Sequence, residues 1–157
     1  MTATEQRAPE LRVQRWIGAD GEILQTPVKL ADLGTGVKVL FAFQDWCRGC
    51  HEHGFPTLQS LRVALAPRGV GFAVIQTVFE GELENTFDKL RSNQIKYDLP
   101  ILFGHDVPEV GQRLPSFMTD YQTGGTPWFT IIDAEGQIVF SDFHLDPDRL
   151  LAQLKQT

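Results

Sequence analysis

The apolar positions of this chain fall into a few runs that stand out from a polar background. Val37–Phe43 is nearly unbroken, with only Lys38 polar, the pattern of a strand covered on both faces of a parallel sheet. Val70–Val78 repeats that pattern, and Trp128–Ile132 is a third such run. Ile138–Phe143 follows across a hairpin turn at Asp133–Gly136, so the last two strands are expected to pair antiparallel. Between the first two runs, Phe55, Leu58, Leu61 and Leu65 recur at helical spacing, from about Cys50 onward. Ala66-Pro67-Arg68-Gly69 stops that helix. Strand, helix and strand in this order predict a βαβ unit.

The remaining pattern is weaker. Residues 1–10 read as a mobile tail ended by Pro9, and residues 11–157 as a single domain. Trp16–Gly21 and Glu22–Leu30 read as an N-terminal β-hairpin turning at Asp20-Gly21. Leu83–Gln94 predicts an amphipathic helix with Leu83, Phe87 and Leu90 on one face, and Tyr97–Phe103 a short extended segment. Pro108 and Pro115 allow only a short helix between His105 and Met118. Asp146 is placed to cap a last helix that buries Leu150, Leu151 and Leu154.

The two cysteines sit where the first strand ends and the helix begins, in Trp46-Cys47-Arg48-Gly49-Cys50. A helix N-terminus has unpaired N–H groups and a partial positive charge, which favour a thiolate over a thiol. Arg48 adds a full charge nearby. Both effects are expected to make Cys47 the more acidic thiol. Cys50, one turn further in, is placed to attack a mixed disulfide formed at Cys47. Three other readings of this stretch stay open. It could form a structural disulfide, whose short loop would contribute only roughly 2 kcal/mol. Cys47, Cys50, His51 and His53 form a C-x-x-C-H-x-H run with zinc-binding side chains. C-x-x-C-H also matches the haem attachment motif of c-type cytochromes.

An apolar strand, then W-C-x-x-C, then a helix resembles the thioredoxin superfamily, and most of all its TlpA-like disulfide reductases. Thr126-Pro127 directly before the third strand is a second point of similarity, and the resemblance covers most of the chain. It implies a thioredoxin-like α/β sandwich, with a central mixed sheet flanked by helices on both faces and the N-terminal hairpin as an extension. It also implies that Pro127 is cis and faces the cysteines, with Trp46, Thr126 and Pro127 contacting substrate. The activity implied is thiol–disulfide exchange, with Cys47 as nucleophile and Cys50 as resolving thiol. No cofactor other than the redox-active disulfide itself is implied, and no resident metal. The partners are a disulfide-containing protein or small molecule and an electron-donor dithiol.

The chain departs from that pattern in three places. The buried acid that thioredoxin carries six residues before the first cysteine is replaced by Phe41. Where related reductases often carry a glutamate, three residues past the second cysteine, stands His53, beside His51 and Glu52. These three and Arg48 are candidates for proton relay or for tuning the thiols, with a solvated helix face as the bland alternative. Pro56 follows Cys50 by six residues, where the family's proline follows by five, so the first turns of the helix are expected to be distorted or shifted by one residue.

Composition narrows the function further. The chain is 42% hydrophobic, enough for a real core, and its 20 acidic residues outnumber its 14 basic ones, with no basic cluster for nucleic acid. No apolar run approaches the 18 residues of a membrane span. The N-terminus has no apolar h-region, so the expected location is the cytoplasm, or outside it if a leader has been removed. In the cytosol a C-x-x-C pair is more often redox-active or metal-binding than structural. A thiol peroxidase of the peroxiredoxin type is a further alternative, although neither cysteine lies in a P-x-x-x-T-x-x-C context.

Overall fold

The computed structural model describes residues 6–155, with side chains up to residue 152. One seven-stranded mixed sheet forms the centre. Its strands are β1 (Gln6–Arg7), β2 (Arg15–Ile17), β3 (Lys38–Phe43), β4 (Gly71–Thr77), β5 (Leu102–Asp106), β6 (Trp128–Ile132) and β7 (Gln137–Asp142). They lie in the order β1-β7-β6-β3-β4-β5-β2. β3, β4 and β5 run parallel, while β6 pairs antiparallel with both β3 and β7. The helices are α1 (Phe55–Leu65), α2 (Lys89–Lys96), α3 (Ser116–Tyr121) and α4 (Pro147–Lys155).

The unbroken apolar run of β3 has the expected cause. All six of its residues are buried, because the alternating side chains enter two different cores. Val39, Phe41 and Phe43 point into a core completed by α1, by Leu90 of α2 and by Leu150 of α4. Leu40 and Ala42 point into the opposite core, closed by Phe117 and Tyr121 of α3 and by Leu11, Val13, Trp16 and Val28 of the N-terminal segment. Phe55, Leu58, Leu61 and Leu65 are fully buried, so each contributes roughly 1.5–3 kcal/mol to docking α1 on the sheet. Leu150 is buried and Leu151 packs against the same core; the side chain of Leu154 lies outside the described residues.

Several expectations need correction. Asp20-Gly21 does turn the chain, with Gly21 at φ 87° and the Gly18 N–H bonded to the Glu22 carbonyl at 2.8 Å. The hairpin, however, keeps only one bridge, Ile17 to Ile23; β2 pairs instead with β5. The buried Trp16 ring lies directly over Gly104 of β5, where a side chain would collide with it at 2.9 Å, and this contact draws β2 to that edge. Gln6 and Arg7 pair with β7 at the opposite edge, and Ala8 is buried, so the stretch read as a tail is held from Gln6 on. Residues 1–5 lie outside the described residues.

The helix expected over Leu83–Gln94 begins only at Lys89. Leu83 is 91% exposed, so it shares no face with Leu90. The buried side chain of Asn85 explains the late start. It donates to the Glu80 and Gly81 carbonyls at 3.0 Å and accepts from the Asp45 N–H at 2.6 Å, offering the backbone an alternative to helix. β5 also extends beyond the expected Phe103, through His105 and Asp106. His105 is paired with Gln76 at 2.9 Å, and Asp106 accepts from Ser116 and from the Phe117 N–H.

Candidate active site

β3 delivers the chain to the site. Just past its end, Gln44–Cys47 is a tight turn closed by the Cys47 N–H, which donates to the Gln44 carbonyl at 3.0 Å. The Cys50 N–H then donates to Cys47 Sγ at 3.2 Å. Both cysteines are free thiols; Cys47 keeps 9% of its surface exposed and Cys50 none. Burial pushes the Cys50 thiol well up, and its hydrogen bond with Cys47 adds to the shift. Hydrogen bonds from the Gln44 backbone and the Thr126 side chain act in the opposite direction.

The helix does not start as a regular α-helix. Cys50–Gly54 is a π-helical turn, closed by the Phe55 N–H on the Cys50 carbonyl. Such a turn takes up one residue more than an α-turn, which is the one-residue excess between Cys50 and Pro56. Pro56 has no N–H to give and follows the π-turn directly, in the first turn of α1. Gly54 closes the turn against the sheet. A Cβ there would stand 2.6 Å from the Phe41 ring and 3.0 Å from Pro127.

The Thr126–Pro127 peptide bond is cis. Pro127 leads into β6 and lies against both Gly49, between the cysteines, and Gly54. Thr126 reaches Cys50. Phe41, in the position of the family's buried acid, packs between Phe55 and Phe129 at ring distances of 5.0 and 4.9 Å. This wall of the site is apolar throughout. Trp46, 48% exposed, rests on Gly81 at the rim.

The four residues considered for tuning the thiols separate into three directions. Arg48 and Glu52 pair with each other at 2.7 Å, with Arg48 88% exposed, a solvated arrangement in which the Arg48 charge is shared with a carboxylate. His53 is exposed and lines a small hollow of about 50 Å³ with Pro127, Phe143 and His144. His51 turns inward. Its Nε2 lies 2.6 Å from the Asp45 carbonyl oxygen, and its Nδ1 is hydrogen-bonded to the Tyr97 hydroxyl. Among the described residues, no three Cys, His, Asp or Glu side chains are gathered as a metal ion requires.

Some neighbours of the site carry no sequence signal of their own. Asn85 holds the Asp45 N–H, Asn93 donates to Asp45 Oδ1 at 2.9 Å, and Lys89 stands 3.4 Å from Asp45 Oδ2. Tyr97 stacks on Phe55 with ring centroids 4.1 Å apart. These partners lie some forty or more residues beyond the turn they hold, where no local pattern could announce them.

No protein-family model matches the chain, and no curated protein matches it. Solved structures do. A crystal structure of a thioredoxin-like superfamily protein is 32% identical, over 96% of this chain and 95% of that one, with a TM-score of 0.83. A thiol-disulfide isomerase from Corynebacterium glutamicum is 30% identical, over 94% and 93% of the two chains, with a TM-score of 0.76. A secreted Mycobacterium tuberculosis disulfide oxidoreductase homologous to E. coli DsbE shares the fold at 19% identity, over 91% and 95%, with a TM-score of 0.62. The fold is thus shared with these proteins over nearly their whole length. The chain belongs to the thioredoxin-like superfamily. Among the described residues no helix is long and apolar enough to cross a membrane.

Proposed function

We propose that the protein is a thiol–disulfide oxidoreductase of the TlpA-like kind, with Cys47 as nucleophile and Cys50 as resolving thiol. The observation that carries this reading is the stacking of roles along one helix turn. The Cys47 sulfur keeps some exposure and accepts the Cys50 N–H, while Cys50 lies fully buried directly behind it. A donor aimed at a sulfur stabilises negative charge there, and burial holds Cys50 protonated until a disulfide forms next to it.

In the reducing direction, the Cys47 thiolate attacks a substrate disulfide. A Cys47–substrate S–S bond forms, the substrate bond breaks, and one substrate sulfur leaves as thiolate. Cys50 then attacks Cys47 Sγ, forming the Cys47–Cys50 disulfide and releasing the second substrate sulfur. Two electrons pass from the cysteines to the substrate together with the Cys50 proton, and the first leaving thiolate takes its proton from solvent. A dithiol protein, or two molecules of glutathione, reverses the change on the enzyme, and no organic cofactor takes part. Trp46, Thr126 and Pro127 form the edge along which an extended substrate chain lies. The isomerase and oxidoreductase names of the similar structures agree with this chemistry.

Insulin reduction recharged by dithiothreitol tests the reading. The wild type is expected to exceed dithiothreitol alone, and Cys47→Ser to fall to that background. Cys50→Ser is expected to accumulate mixed disulfides, visible as mass adducts. Wild-type rates equal to background over several protein disulfides would refute it.

A further inference from the structure

His51 follows the resolving cysteine directly, yet both of its ring nitrogens are engaged away from the sulfurs. A carbonyl oxygen can only accept, so the nitrogen 2.6 Å from the Asp45 oxygen carries the proton. In the neutral ring Nδ1 is then the acceptor, and the Tyr97 hydroxyl is its donor. The imidazole also lies beside the stacked Phe55–Tyr97 pair, 5.8 Å from each ring centroid. Its polar surroundings are the Asp45 carboxylate at 4.0 Å from Nε2 and, behind that, Lys89 and Asn93.

The geometry points to His51 and Tyr97 as a positioning pair for the nucleophile. Asp45 lies inside the Gln44–Cys47 turn, and the Gln44–Asp45 peptide, which carries its N–H, and the Asp45–Trp46 peptide, which carries its carbonyl, meet at its Cα. Asn85 holds the N–H from one side, and His51 holds the carbonyl from the other. Together they hold the peptides on both sides of the Asp45 Cα, so rotation of the Asp45–Trp46 peptide, which would move both Trp46 and the Cys47 sulfur relative to the Cys50 N–H, is opposed by the His51 bond. The π-turn is what makes this contact: it is the segment that carries His51, and it adds one residue to the turn between Cys50 and Pro56. Tyr97, arriving from just beyond α2, fixes the ring orientation and the tautomer. In this arrangement His51 relays no proton; it sets where the attacking sulfur stands. This role rests on the reading of Cys47 as nucleophile, but its two measurements need no disulfide substrate.

The first measurement is long-range ¹H–¹⁵N correlation of the reduced, ¹⁵N-labelled protein. Neutral His51 is expected to be the Nε2–H tautomer, with Nδ1 showing the shift of a hydrogen-bonded acceptor. Tyr97→Phe is expected to move the Nδ1 signal and leave the other histidines in place. An Nδ1–H tautomer, or rapid averaging of both, would overturn the assignment. The second is the rate at which iodoacetamide alkylates Cys47. Tyr97→Phe and His51→Phe, the latter keeping a ring beside the Phe55–Tyr97 stack, are each expected to slow it about three- to ten-fold, the span of one net hydrogen bond. His51→Gln, which retains an N–H donor, is expected to recover part of that loss. Unchanged alkylation in a Tyr97→Phe protein of wild-type stability would sink the proposal. A wild type inactive on insulin, with both results as expected, would sink only the oxidoreductase reading.

Discussion

The two walls of the cysteine site are built on opposite principles. On one side Phe41, Gly54, Pro127 and Phe129 meet by contact alone, without a charged group among them. On the other, Asp45, Asn85, Asn93, His51 and Tyr97 meet through directed hydrogen bonds, and the polar interior continues behind them into Gln76 and His105. The apolar wall fixes how close the helix start comes to the sheet and tolerates no added volume. The polar wall fixes the two peptides that meet at Asp45 and tolerates volume better than the loss of a donor. A site that needs one sulfur placed and another hidden uses a wall of each kind.

The largest effect that would break this contrast is expected at Gly54. Its φ of −64° is ordinary for any residue, and helix propensity alone would favour a side chain there by up to about 1 kcal/mol. Contact decides otherwise, since the first added carbon would stand 2.6 Å from a fully buried phenylalanine ring. Gly54→Val is expected to cost about 3 kcal/mol or more in a denaturant titration, the upper end of overpacking penalties. A neutral or stabilised variant would show that the apolar wall is soft.

The polar interior is sharpened by pH. Burial, and to a lesser degree the Arg15 charge, lower the His105 pKa from 6.5 to about 4. The unfolded chain therefore binds a proton in that window and the folded one does not. The stability contributed is fully present above about pH 6.5 and is lost as pH falls toward 4, on the order of 2–3 kcal/mol in all. His105→Gln is expected to flatten the difference in stability between pH 7 and pH 4 by that amount. An identical pH profile in the two proteins would place His105 outside the acid response.

The smallest effect belongs to the solvated side of the helix start. Arg48→Ala breaks an ion pair that is largely exposed, and is expected to change stability by less than about 0.5 kcal/mol. Iodoacetamide alkylation of the same variant separates charge from position. Little change means that the helix N–H, not Arg48, supports the Cys47 thiolate.

What could be read in advance follows the same division. The apolar wall was legible because contact leaves a periodic trace: β3 as an unbroken run, α1 as a four-residue stripe, Trp128–Ile132 at its observed bounds. The extra residue before Pro56 was legible as spacing, and it became the π-turn. The polar wall was not legible. Asn85 looked like a helix residue and ended up holding a loop, because its partner is Asp45, forty positions earlier. His105 and Asp106 fell in the stretch past Phe103 where only a short helix was expected, and they lie inside the strand, because Gln76, Ser116 and Phe117 satisfy them there. A polar residue is read as exposed unless its partner is visible, and the partner is a property of the fold.

The N-terminal segment has a consequence for how the molecule is made. β1 and β2 close the two opposite margins of the sheet, on β7 and β5. These early residues thus take their places against strands synthesised much later; Gln6 must wait for Ile138, more than 130 positions downstream. During translation both margins stay unpaired, and contacts so distant along the chain close slowly. The nascent chain passes through its most association-prone stage with its cysteines already emerged, and that exposure ends only when the beginning of the chain folds back over its end.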